Sequence, residues 1–194
     1  MFNHTRSILR AFAVIGVTGA FLAVGGAAQA KPAKDAAASG LSAAAISLIP
    51  EAIRPPAGSR PVGAWLVASG TQTYTCVVAA GATTGAFTGG SVPEAQLIGT
   101  AGKIHHFGGP SWQSVKDGSL VTAVREAGVP REGTIQELLL KVDKRTGKGI
   151  LSKSDYINRL YTSGGVAPTG SCTAGQTATV NYGALYVFWD APNV

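Results

Sequence analysis

From Trp65 onward the chain reads as short runs of alternating apolar and polar residues, interrupted by glycine at close intervals. Alternation of that kind is the mark of half-buried strands. WLVASGTQTYTCVV (Trp65–Val78) is rich in Val, Thr, Tyr and Trp and predicts a strand pair, or one strand bent near Ser69-Gly70. Tyr74, Cys76 and Val78 then share a face. AQLIGT and KIHHF predict two short strands around Ala101-Gly102. WQSV and SLVTAV flank Lys116-Asp117-Gly118, and Asp-Gly between apolar runs is a hairpin signal. IQELLLKV fits a helix or a buried strand by its pattern; we favour the strand, turning at Arg145-Thr146-Gly147-Lys148. SKSDYINRLYTSGG is the best helical segment, with Ser154 as cap and Gly164-Gly165 as stop.

TATVNYGALYVFW alternates over its whole length. Val180, Tyr182, Ala184, Tyr186 and Phe188 take one face, while Leu185, Val187 and Trp189 make the other apolar as well. Such a strand is covered on both sides. Ala80–Gly90 is a loop of small residues anchored by Phe87. LIPEAIRPPAGSRPVG, with Pro55, Pro56 and Pro61, reads as a strap or edge segment because proline donates nothing to a ladder. The whole predicts an all-β, mainly antiparallel domain: a sandwich or barrel with one short helix and long Gly-rich loops.

The N-terminal 30 residues follow a different pattern. Arg6 and Arg10 precede a small, apolar run ending in Ala28-Gln29-Ala30, the layout of a cleaved secretory leader. Residues 31–47 read as a flexible Ala-rich linker and residues 48–194 as one domain, placing the protein in the periplasm or outside the cell. Sixteen Lys and Arg against ten Asp and Glu give +6, and loss of Arg6 and Arg10 with the leader leaves +4, ordinary for a soluble domain. The one basic cluster, Lys141, Lys144, Arg145 and Lys148, fits a solvated turn or weak contact with an anionic surface. No aromatics interleave with it, so nucleic-acid stacking is not indicated. Cys76 and Cys172 are the only cysteines, and in an oxidising compartment they predict one disulfide.

There is no G-x-S-x-G elbow, dinucleotide fingerprint, P-loop or H-E-x-x-H motif, and no cofactor, catalytic residue or metal ligand is assigned. The chemistry concentrates in HHFGGPSW (His105–Trp112). Neighbours on a strand point to opposite faces, so His105 and His106 do not chelate one metal together. Ile104 marks the core side, which puts His106 inward and His105 outward. His106 and Trp112 are expected to hold a tight Gly-Gly-Pro corner and to line a ligand site, with Asp117 and Glu94 as candidate polar partners. The leading expectation is a non-enzymatic domain binding a small molecule or an envelope or extracellular component. The alternative is a hydrolase- or lyase-like enzyme using His106 with Asp117 or Glu94.

Several segments occur in an order that resembles a known family. GTQTYTC, PEAQL, HFGGPSW with DGS after it, LLLKV, YINRLYTSGGVAP, Cys172 and VNYGALYVF are similar to the secreted bacterial and fungal domain of unknown function 3455, over roughly Leu48–Trp189. The resemblance implies an exported, β-rich single domain with no established activity, in which His106, Phe107, Pro110, Trp112, Asp117 and Gly164-Gly165 are motif positions. Two departures stand out: Glu137 occupies a position where relatives often carry tryptophan, and Phe87 is the nearest aromatic to another.

Overall fold

The computed structural model describes residues 44–99 and 101–192. The leader expected over residues 1–30 and most of the linker expected over 31–47 lie outside the described residues. Within them run eight strands: β1 (Arg60–Thr75), β2 (Val92–Gly99), β3 (Gly102–Phe107), β4 (Ser111–Ser114), β5 (Leu120–Val129), β6 (Glu137–Thr146), β7 (Tyr156–Gly164) and β8 (Thr177–Asp190). Each pairs antiparallel with its chain neighbours, and β8 returns to pair with β1. The sheet therefore closes into an up-and-down barrel, and of the two architectures the pattern allowed, the barrel is the one formed.

Alternation sorts the strands into an inside and an outside. Trp65, Leu97, Ile104, Trp112, Leu140 and Phe188 are among the residues that fill the interior. A second apolar cluster lies outside, where Ile49 and Ile53 cover Leu139, Tyr156, Leu160, Val187 and Trp189. Ile53 ends a short 3-10 helix, Glu51–Ile53, within the predicted strap. Ile46, in the stretch expected to be linker, already packs against this cluster. The covering explains why β8 is apolar on both faces. Asn158 fixes the strap: its amide donates to Ile53 O (2.8 Å) and Leu138 O (3.1 Å) and accepts from Trp189 Nε1 (2.9 Å). Among the described residues no helix is long and apolar enough to cross a membrane.

β1 is a single bent strand, with a register shift against β2 between Val67 and Ser69. The Asp117-Gly118 turn joins β4 to β5, with Gly118 at φ 73°. IQELLLKV is strand, and β6 runs through Thr146 before the turn. One expectation is corrected. SKSDYINRLYTSGG is not a helix; Tyr156–Gly164 is β7, hydrogen-bonded between β6 and β8. Tyr156, Ile157 and Leu160 fit the spacing of a helical face, but Ile157 points into the barrel while Tyr156 and Leu160 point out under the strap. Two buried faces on one strand erase its alternation. A bulge adds to the disguise: register shifts between Leu160 and Ser163, and Tyr161 sits at φ 50° with its N–H donated to the Glu137 carboxylate (2.6 Å).

In this topology the β1–β2, β3–β4, β5–β6 and β7–β8 connections all emerge at one end of the barrel. The Cys76–Cys172 disulfide, predicted from the cysteine count, lies there and ties the end of β1 to the connection before β8. Tyr74 and Phe87 pack around it. At the other end Leu151 is fully buried and the Trp65 indole donates to Gly102 O (3.1 Å), closing the barrel.

Candidate functional site at the barrel mouth

HHFGGPSW forms the end of β3, a tight Gly-Gly-Pro turn and the start of β4. Gly109 takes φ 93°, a conformation that favours glycine. The hairpin register places His106 directly opposite Trp112. Their rings stack, with centroids 4.3 Å apart. Both side chains point inward with Ile104, while His105 points outward, as alternation required. His106 Nδ1 lies 2.8 Å from the Ser111 carbonyl. A carbonyl only accepts, so Nδ1 carries the proton. Burial lowers the His106 pKa to about 4, the Ser111 bond opposing it and the nearby Arg159 charge adding to it. The ring is neutral at pH 7, which makes Nε2 an acceptor.

Around this pair lies a cavity of about 170 Å³, lined also by Gln72 from β1, Leu140 from β6, Arg159 from β7 and Tyr186 from β8. Gln72 is buried; its Oε1 accepts from the Ser91 hydroxyl (2.5 Å), and its Nε2 has no protein partner. Trp112 Nε1 is likewise buried without a partner. Buried donors left in that state are uncommon in native structures. Arg159 donates through Nε and Nη2 to Gln136 O (3.1 and 2.9 Å). Tyr186 meets Tyr182 hydroxyl to hydroxyl at 3.4 Å, and burial pushes both phenols up, so both stay protonated. Toward solvent a larger cavity of about 560 Å³ shares Ser91 and Arg159 with the inner one and adds Tyr74, Arg125, Ile135 and Val166.

The family model described as Protein of unknown function (DUF3455) matches residues 92–190, from the start of β2 to the end of β8. The chain belongs to this family. It is an exported β-domain, periplasmic or extracellular, and its disulfide suits an oxidising compartment. Searches of curated proteins and of solved structures each found no match.

In this DUF3455 domain the two candidate carboxylates are not brought to the His106–Trp112 pair. Glu94 points outward and bonds His105 Nε2 at 2.6 Å. Asp117 staples the β4–β5 turn to the β6–β7 connection: its oxygens accept from the Ser119 hydroxyl (2.6 Å), Ser119 N (3.0 Å) and Ile150 N (3.0 Å). Those bonds, the Ser119 hydroxyl first, hold its carboxyl well below the usual range. His106 makes no hydrogen bond to either acid. In the basic cluster, Arg145 pairs with Asp155 and donates to Ser154 O (3.0 Å), while Lys141, Lys144 and Lys148 are exposed. No group of three His, Cys, Asp or Glu among the described residues is placed to hold a metal.

The lining residues that the sequence reading missed are Gln72, Ser91, Arg159 and Tyr186. Arg159 carried a usable signal. Read as strand, YINRL puts Arg159 on the face of Ile157, and a charge on the inner face of an apolar barrel marks a site. Gln72 shares a face with Tyr74 in GTQTYTC in the same way.

Proposed function

We propose that this exported barrel is a non-enzymatic binding module that admits one small molecule through its mouth to the His106–Trp112 pair. An eight-stranded barrel is just wide enough to be filled by side chains or to hold one small ligand. Side chains fill the closed end here, and the open end keeps a lined cavity. The observation that carries the reading is the pair of buried donors, Gln72 Nε2 and Trp112 Nε1, left without protein partners in the lining of that cavity. A small turn of either side chain toward the cavity would let a ligand acceptor satisfy it. Docking on an anionic envelope surface has less support, since Arg145 is already paired. A hydrolase or lyase built on His106 with Asp117 or Glu94 gains no support from their positions.

The test is a thermal-shift screen of a small-molecule library on the protein starting at Lys31, repeated on Ser91→Trp, which fills the neck shared by the two cavities. Binding to the folded state raises its apparent stability. Compounds that raise the unfolding midpoint of the parent and not of a folded Ser91→Trp support the reading. A library without any effect, or hits indifferent to the substitution, would refute it.

A further inference from the structure

Resting on that binding role, we propose that the ligand is a small organic anion, a flat-ring carboxylate held with its charge at Arg159 and its ring against Trp112 and His106. The first argument is charge. Two guanidinium groups, Arg159 and Arg125, line the mouth, and no Asp or Glu lines either cavity. Neither arginine forms an ion pair among the described residues; Glu137 is committed to Arg131 (3.0 Å) and Asp155 to Arg145. Arg125 is exposed, but Arg159 is half-buried, and a cation so placed without a counterion costs desolvation that an incoming anion offsets. Walls of one charge sign also concentrate ligands of the other.

The second argument is hydrogen bonding. With Nε and Nη2 of Arg159 donated to Gln136 O, Nη1 is left for the Tyr186 hydroxyl beside it and for a carboxylate. The unpartnered groups Gln72 Nε2 and Trp112 Nε1 are donors too, so the lining offers an excess of N–H over acceptors. The third argument is size and shape. The inner cavity measures about 170 Å³, and an apolar cavity of roughly 150 Å³ takes up benzene. One flat ring therefore fits beside Leu140, Tyr186 and the stacked pair. The charged end is left at the neck, where Arg159 borders both cavities.

Calorimetric titration of the protein starting at Lys31 with benzoate, its neutral isostere benzamide, cationic benzamidine and inorganic phosphate separates charge from ring. Benzoate is expected to bind at least about tenfold tighter than benzamide, the scale of one charge-assisted bond, and to weaken with added salt. Benzamidine and phosphate should bind more weakly than benzoate. Arg159→Met should lose about tenfold or more, Arg159→Lys should recover part of it, and Arg125→Gln should lose less. Should Arg159→Met fail to fold, the isostere pair on the parent protein and Arg125→Gln decide. Benzamide or benzamidine binding as well as benzoate overturns the anion assignment while the binding role stands. Phosphate equal to benzoate overturns the ring. Silence from all four compounds overturns the ligand assignment, and hits elsewhere in the thermal-shift library then preserve the binding role alone.

Discussion

The His106 imidazole lies flat on the Trp112 indole, with centroids 4.3 Å apart and planes 5° from parallel, and the Tyr186 ring meets both at an angle. The same side chains are thus core and cavity wall. Removing Trp112 empties a large part of the barrel centre, and Trp112→Ala should cost about 3–5 kcal/mol. His106→Ala leaves Ser111 O without its donor and should cost about 1–3 kcal/mol. His105→Ala loses an exposed pair with Glu94, worth at most about 1 kcal/mol, and a surface ring contact with Phe107 (4.8 Å). Urea unfolding of the three variants gives the ranking directly, and a His105→Ala as damaging as His106→Ala would contradict the inward placement of His106.

The buried His106 also sets an acid limit. Its pKa is about 4 in the folded protein against an ordinary 6.5 in the unfolded chain. Above pH 6.5 the ring is neutral in both states and stability does not depend on it. As pH falls from 6.5 toward 4, the unfolded chain takes up a proton that the folded one refuses, so stability drops, by up to about 3 kcal/mol. Asp117 has the opposite kind of group but the same direction: its contribution is present above the ordinary 3.8 and is lost only as pH falls below that. The window between is therefore governed by His106. Unfolding midpoints from pH 7 to 4.5 should decline in the parent protein and flatten in His106→Phe.

The parts of the barrel that were legible in the sequence are those whose burial follows from local alternation. β8 announced two apolar faces, and Ile104 told His106 from His105. β7 was misread because the cover on its outer face comes from Ile49 and Ile53, about 100 residues earlier in the chain, and no local pattern contains that information. Arg159 was lost with it. Glu94 and Asp117 are carboxylates near HHFGGPSW in sequence, yet alternation already puts Glu94 opposite inward-facing Ala95 and Leu97. Gln72 and Ser91 come to the site only through barrel closure and the path of the β1–β2 connection.

The disulfide belongs to the mouth as much as to stability. Cys76 and Cys172 lie beside two isolated backbone bridges: Val77 with Ala86 folds the β1–β2 connection on itself, and Gly85 with Cys172 holds it against the connection before β8. That connection delivers Ser91 to Gln72. Cys76→Ser with Cys172→Ser should lower stability by about 2–5 kcal/mol. It should also weaken any ligand that binds through the neck. Thiol labelling of the denatured, non-reduced protein should detect no free cysteine; labelling of both would remove the bridge.

Asp117 is expected to act on stability and not on binding. Its carboxylate joins two connections at the closed end, reaching Ser119 and Ile150, while the Ser119 hydroxyl in turn accepts from Leu151 N at 3.2 Å. Ser119 is fully buried, so the acceptor it loses is not replaced by water. Asp117→Ala leaves the buried Ser119 hydroxyl and N–H without their acceptor, at about 1–3 kcal/mol. Asp117→Asn keeps one acceptor oxygen and should cost less. Neither change touches the lining of the mouth, which lies at the other end of the barrel. Both variants should therefore keep the full ligand-induced rise in midpoint while starting from a lower one. A loss of that rise with the fold intact would restore Asp117 to the ligand site, where its nearness in sequence to HHFGGPSW first placed it.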